Sequence, residues 1–165
     1  MSDTKEPREA PWRFMVGSHE IVVDYKMLPI LAQFTWYVKP SRSTFYAVTN
    51  VRIRGKQTPL AMHRLLTGLR AGIVDHKNRN GLDNRMENLR FATPTQNSMN
   101  RVRKNSLGYR GVYKAENSQY FCCQIQREGK KYHESGFRTP EDAARRYDEL
   151  SKELHGEFGI RNFER

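Results

Sequence analysis

VDHKNRNGLDNRMENLRFATPTQNSMNR, residues 74–101, is the stretch that decides the fold. It begins inside GIVD at 72–75, a short apolar run that reads as a strand. From Lys77 to Glu87 the chain is polar, rich in Asn and interrupted by Gly, which is the composition of a loop. LRFAT at 89–93 reads as a second short strand. Pro94 then opens a helix with Thr93 as its N-cap, since a proline at the first helical position forfeits no hydrogen bond. That helix is expected to run through TQNSMNRVR.

A strand–loop–strand–helix unit can bring a strand end and a helix face together, and the residues there carry chemistry. Asp75 and His76 are adjacent at the end of the first strand, Asn88 opens the second, and Asn97 lies one turn into the helix. Asp75 and Asn97 offer a carboxylate and an amide oxygen to one hard divalent ion, with sites left for water and phosphate. Neighbours on a strand point to opposite faces, so Asp75 can hold the metal while His76 faces an attacking water. An imidazole titrating near pH ~6.5 is suited to take a proton from that water. Asn88 is expected to bond loop backbone and keep the loop and His76 in place. A lone Asp-His pair in an Asn-rich loop is ordinarily a surface feature; the ordered elements downstream make this one a site. His63, on the apolar segment Ala61-Met62-His63, reads as a packing or hydrogen-bonded structural histidine.

Outward from this unit, residues 1–12 read as a loose polar leader and IVV at 21–23 as a short apolar stretch before a helical turn over 26–33. FTWYV (34–38) and FYAVTNVRI (45–53) read as strands separated by a turn at Lys39-Pro40-Ser41. Arg54-Gly55-Lys56 is another turn, leading to LAMHRLL at 60–66. Residues 103–109, polar and Gly-containing, mark a domain boundary. Beyond it GVYKA, YFCCQIQ and KKYHESGF form a three-stranded antiparallel meander. Thr139-Pro140-Glu141-Asp142 then starts a helix whose Ala143, Ala144, Tyr147, Leu150, Ser151 and Leu154 form an apolar stripe, with Gly156 as its stop. The fold class is therefore α+β, with a β-rich domain over 1–104 and a sheet backed by one helix over 105–165.

The 165 residues carry 29 Lys and Arg against 18 Asp and Glu, a formal net charge of +11. Residues 51–110 hold +10 of it, which points to a polyanionic partner and ties that partner to the site. Within 110–138 there are six basic and three acidic residues, but five and seven within 139–165, so the strands suit phosphate and the helix suits water. The absence of a long apolar run excludes a membrane span, and the charged start has no secretory signal. The two cysteines, Cys122 and Cys123, are adjacent and cannot supply a four-ligand zinc site. A cytoplasmic, zinc-free protein is expected.

The stretch 74–101 resembles the HNH endonucleases, the ββα-metal nucleases of phages and mobile introns, and MHRLLTG at 62–68 resembles the segment that precedes this motif in their homing branch. The resemblance implies a metal held by Asp75 and Asn97, a general base at His76 and a structural Asn88. Asn97 stands where many members have a second His, which makes this an H-N-N variant and favours Mg²⁺ or Mn²⁺, one ion per site, over Zn²⁺. The expected reaction is metal-assisted hydrolysis of a phosphodiester, with Lys77, Arg79, Arg85 and Arg90 clamping the backbone.

GYRGVYKAENSQYFCCQIQREGKKYHESGFRTPEDAARRYDELSKELHGEFGIRNF, residues 108–163, resembles the APETALA-type (ethylene-response) DNA-binding domain. That resemblance implies a sheet in the major groove, read by Arg110, Lys114, Gln124, Gln126, Lys131 and His133. Tyr113 and Phe121 replace an Arg and a Trp common in that family, and the second hairpin is about one residue short near Ser135. The combined reading is a homing-type endonuclease of double-stranded DNA, monomer or weak dimer, in a phage-infected or bacterial host cell, with no small-molecule substrate. The rivals are a DNA-binding regulator with an inactive nuclease domain and an RNA-binding or RNA-processing protein.

Overall fold

The computed structural model describes residues 10–101 and 105–163. The chain is mixed in composition, with short helices and several small sheets whose named strands all pair antiparallel. It divides into two compact units, 1–93 and 94–165. The boundary expected at 104/105 borders residues 102–104, which lie outside the described residues, as do residues 1–9 of the expected leader.

In the first unit, β1 (Trp12–Val16) and β2 (His19–Val23) form a hairpin that turns through Gly17, at φ +60°. The leader therefore ends in a strand. Phe14 and Val16 pack on the core while Arg13 and Met15 face outward, the alternation of a half-buried strand. A 3₁₀ turn, Tyr25–Met27, leads into α1 (Leu28–Leu31). The core gathers Ile21, Val23, Leu31, Ala47, Met62 and Leu82 from five separate segments.

β3 (Tyr37–Pro40), β4 (Phe45–Ile53) and β5 (Lys56–Ala61) form a sheet with β4 in the middle. The expected strand over 34–38 begins only at Tyr37. Trp36 instead packs on the core and donates its Nε1–H to the Leu31 carbonyl at 2.9 Å. The expected turn at 39–41 lies further on. Lys39 and Pro40 pair with Tyr46 and Phe45, and Ser41 closes the turn by donating its N–H to Thr44. An edge strand tolerates a proline because its missing N–H need not face a ladder partner. The second turn falls at Arg54-Gly55, both with positive φ. α2 (Met62–Leu66) follows, then β6 (Ile73–His76) and β7 (Leu89–Ala92), which pair with each other. Asn88 does not open β7; it ends a 3₁₀ turn, Met86–Asn88.

In the second unit, α3 (Pro94–Met99) stops short of the expected run through TQNSMNRVR, whose residues 102 and 103 lie outside the described residues. β8 (Val112–Lys114), β9 (Phe121–Arg127) and β10 (Lys130–Phe137) form a sheet with β9 central. The register shifts between Ser135 and Phe137, where Gly136 takes φ +94°. α4 (Pro140–His155) starts at the cap, where Thr139 Oγ1 accepts the Asp142 N–H at 3.1 Å, and ends at Gly156 with φ +56°. Its stripe of Ala143, Ala144, Tyr147 and Leu150 is buried against Val112, Cys123 and Ile125.

Gly111 shows why small residues matter at this interface. Its φ is +69°, and a Cβ there would lie 2.2 Å from the Tyr147 ring and 2.6 Å from the Gln124 carbonyl oxygen. Both the backbone conformation and the space exclude a side chain. Gly111→Ala is expected to destabilise the protein by about 2–4 kcal/mol, measured by urea unfolding; a loss below about 0.5 kcal/mol would show that the sheet and helix separate readily.

Candidate active site

Asp75 and Arg90 are direct cross-strand partners on β6 and β7, so their side chains share a face. Both are almost wholly enclosed, and Arg90 places Nε at 2.9 Å and Nη2 at 2.8 Å from the same carboxylate oxygen, Oδ2. A buried charge needs this kind of partner, because an unpaired carboxylate out of water costs several kcal/mol. Arg90, expected to clamp phosphate, is thus turned onto Asp75 by the strand register.

His76 is 4 % exposed and points to the other face. Its ring meets His63 edge-on, with centroids 5.0 Å apart at 87°, and Tyr46 at 5.8 Å; Tyr46 also touches His63 at 5.3 Å. Its Nε2 lies 3.4 Å from Oδ1 of Asn84, which is wholly buried. Asn84 directs its Nδ2 toward the Gly81 carbonyl at 3.5 Å, so its oxygen is the atom offered to His76. An oxygen acceptor there requires Nε2 to carry the hydrogen, which leaves the lone pair on Nδ1. Burial lowers the His76 pKa, and the Asn84 bond and the charges of Asp75 and Asp83 oppose that shift without reversing it. The imidazole is therefore neutral at neutral pH, the form a base requires.

His63 is held more strongly. Burial, followed by the neighbouring His76 and Arg64, lowers its pKa to about 3, and its buried Nδ1 has no hydrogen-bond partner. It is a packing histidine, not a hydrogen-bonded one at that atom.

The loop between β6 and β7 is built from polar contacts. Asn88 Oδ1 accepts the Asn78 N–H at 3.0 Å, and its Nδ2 donates to Asn78 Oδ1 at 3.0 Å and to the Asp83 carbonyl at 2.7 Å. Arg85 grips Asp83 with Nε at 2.8 Å from Oδ1 and Nη2 at 2.7 Å from Oδ2, and reaches Glu87 with Nη1 at 2.6 Å. Burial would raise the Asp83 pKa, but the hydrogen bonds and charge of Arg85 outweigh it and hold it below the usual carboxylate range. Arg85, like Arg90, is engaged by carboxylates. Lys77 and Arg79 are exposed, and Arg79 takes φ +65° in a turn closed by its N–H on the His76 carbonyl.

Among the described residues no group of three or more His, Cys, Asp or Glu side chains could hold a metal. The implied ligands, Asp75 and Asn97, are a carboxylate and a carboxamide, both hard oxygen donors. That set fits an ion such as Mg²⁺, which takes one or two carboxylates and retains water. Asn97, the other implied ligand, lies half-buried on α3 in the second unit.

The expected readers of the second unit divide between two faces. Gln124, Gln126, Lys131 and His133 share the face opposite α4, with Gln124 directly across from His133 and Gln126 from Lys131. Lys114 stands on the other face with Phe121, its Nζ 5.9 Å from that ring. Arg110 donates its N–H to Asn162 Oδ1 and its Nε–H to the Tyr147 hydroxyl, both at 2.7 Å, and so turns toward α4. Tyr46, His63 and Asn84 are the neighbours of His76 that the sequence reading did not assign to the site.

Two consequences are measurable. His63 binds a proton in the unfolded chain below pH ~6.5 but in the folded one only near 3, so its contribution is complete above the unfolded pKa and is lost as pH falls. In His63→Phe, the decline of unfolding free energy from pH 6.5 to 4 is expected to be shallower by up to about 1.4 kcal/mol per pH unit; parallel curves for the two proteins would refute this. Asn88→Ala removes three hydrogen bonds and is expected to cost about 2–4 kcal/mol, with loss of hydrogen-exchange protection at the Asn78 amide.

A family model described as HNH endonuclease matches residues 68–99, the span from the end of α2 through both strands to α3. An uncharacterized HNH endonuclease of Acanthamoeba polyphaga mimivirus is 30 % identical over 136 residues, which covers 81 % of this chain and 70 % of that protein. No solved structure matches the chain. Among the described residues no helix is long and apolar enough to cross a membrane. The matched span holds the buried Asp75 and His76 and the loop that fixes them, and the chain belongs to the HNH endonucleases, a family of nucleases.

Proposed function

We propose that this protein is a metal-dependent DNA endonuclease of the homing type, in which a ββα-metal motif at about 72–101 hydrolyses a phosphodiester bond and residues 105–165 select the site. The observation that carries the reading is the state of His76: a buried, neutral imidazole with Nε2 directed at Asn84, one residue from a buried carboxylate on the opposite face. His76 Nδ1 takes the proton of the attacking water. Asp75 and Asn97 are the oxygen donors for the ion, and Asn88 holds the loop. A bound Mg²⁺ or Mn²⁺ supplies charge neutralisation at the scissile phosphate. Lys77 and Arg79, exposed beside the site, contact flanking phosphates.

The resemblance of 108–163 to the APETALA-type domain supports site selection by the sheet. So does the shared face of Gln124, Gln126, Lys131 and His133, where glutamine can pair bidentately with adenine. One active site per chain suits a nick by a monomer. One observation favours the rival regulator: Arg90 already engages the carboxylate that would hold the ion.

A supercoiled plasmid incubated with the protein and Mg²⁺ or Mn²⁺ separates the two. The endonuclease converts it to open-circular or linear form, whereas a regulator leaves it intact. His76→Ala is expected to reduce the cleavage rate by about 10²–10⁴-fold with duplex affinity retained. Cleavage by His76→Ala at the wild-type rate would remove the assigned base.

A further inference from the structure

Between Asp24 and Asp75 the sequence contains no Asp or Glu, while eight Lys and Arg residues occur there. The sheet of β3, β4 and β5 lies within this acid-free stretch. One face of it is closed: Val38 and Ala47 pack on the core, and Thr49 is buried beside them. By the alternation of side chains, the other face carries Tyr37, Lys39, Tyr46, Asn50, Arg52 and Gln57 around a buried Val48. Tyr37, Lys39, Asn50, Arg52 and Gln57 are exposed and Tyr46 is half-buried. The Tyr37 hydroxyl donates to Asn50 Oδ1 at 3.0 Å, and Arg52 Nε–H reaches the Gly55 carbonyl at 3.3 Å, which fixes its guanidinium at the hairpin end.

This face runs into the active site. Tyr46 pairs directly with Lys39 and its ring lies 5.8 Å from that of His76. The loop bearing the site is fastened to the same strand connection, since Gly81 donates its N–H to Thr44 Oγ1 at 2.9 Å. From Tyr46 to Arg52 the strand rises about 20 Å, the length of about six base steps. Positive charge without compensating acid, together with exposed amide and phenol groups, is the signature of a surface that follows phosphates.

We propose that the open face of the β3–β4–β5 sheet is a second nucleic-acid contact surface, on which the phosphate backbone of duplex DNA lies beside the bond attacked at His76. Lys39 and Arg52 neutralise phosphates there. This rests on the nuclease reading and assigns the first unit a grip on DNA independent of the second unit's sheet.

The test uses the full chain carrying His76→Ala, so that the duplex survives, and measures affinity for a 30-base-pair duplex by fluorescence anisotropy at several salt concentrations, a probe length of about three helical turns. Each phosphate contact adds about 0.9 to the slope of log affinity against log salt. Lys39→Gln/Arg52→Gln is expected to lower that slope by about two. Lys56→Gln, an exposed cation on the opposite face of the same sheet, is expected to leave it unchanged. An unchanged slope in the double variant, or an equal drop in Lys56→Gln, would overturn the proposal. Should the double variant fail to fold by circular dichroism, Lys39→Gln and Arg52→Gln singly are each expected to lower the slope by about one. Plasmid cleavage by the chain with His76 intact is scored separately, so failure of the nuclease reading and failure of the surface give different results.

Discussion

Val22 donates its N–H to the Leu82 carbonyl at 3.0 Å and accepts the Asn84 N–H at 2.7 Å. These two bonds join the β1–β2 hairpin to a loop some sixty residues away, as one parallel bridge between Val22 and Asp83. A loop of this polarity has little apolar surface to hold it, and its buried backbone groups need partners. With residues 82 and 84 bonded to Val22, Leu82 is set into the core and Asn84 against His76. The intervening Asp83 meets Arg85 and Asn78. The β1–β2 hairpin thus determines where the His76 imidazole lies.

The rest of the loop is satisfied inward from that joint. Asp83, Asn84 and Asn88 are buried polar residues, and each has hydrogen-bond partners within the loop. Such a network is stiff when complete and costly when broken, because each orphaned buried group loses its hydration without compensation. Gly81 adds a steric condition: a Cβ there would come within 2.4 Å of the Phe45 carbonyl oxygen and 2.5 Å of the Tyr46 ring. The loop can therefore lie flat on the β3–β4 connection only with glycine at that position. Rigidity of this kind suits the base proposed at His76, since a small displacement of a catalytic group costs a large factor in rate.

The parts of this arrangement that depend on local pattern were legible in the sequence. The strand over 45–53 is rich in β-branched and aromatic residues, and Thr139-Pro140-Glu141-Asp142 is a complete helix start; both occur at the expected residues. The adjacency of Asp75 and His76 on a strand sufficed to send them to opposite faces. What was not legible depends on long-range register. WRFMV at 12–16 carries Arg13 and Met15 outward, so by composition it merges with the charged segment before it. Four asparagines between 78 and 88 look alike in composition, yet Asn84 and Asn88 are buried while Asn78 and Asn80 are exposed. Pairing to Val22 makes that distinction, and no local rule contains it. The pairing of Arg90 with Asp75 is hidden for a related reason, since it follows from a strand register fixed by a loop of unknown path.

The Asp75–Arg90 pair sets an energetic condition on whatever binds at this carboxylate. Enclosing Asp75 without a countercharge would cost several kcal/mol, and the cross-strand guanidinium removes that cost in the protein by itself. An arriving cation must then share or displace Arg90 at Oδ2, so its net gain is smaller than Coulomb attraction to an unpaired carboxylate would give. A guanidinium displaced from a carboxylate retains its charge and its planar set of donors, which match a phosphate as well as they match a carboxylate. Occupation of the carboxylate by a metal and occupation of the guanidinium by a phosphate are therefore not competing events: each relieves the charge that the other leaves unpaired. In the proposed nuclease, that reciprocity would tie the affinity of the site for a cation to the presence of the nucleic acid, through two side chains opposite each other on one hairpin.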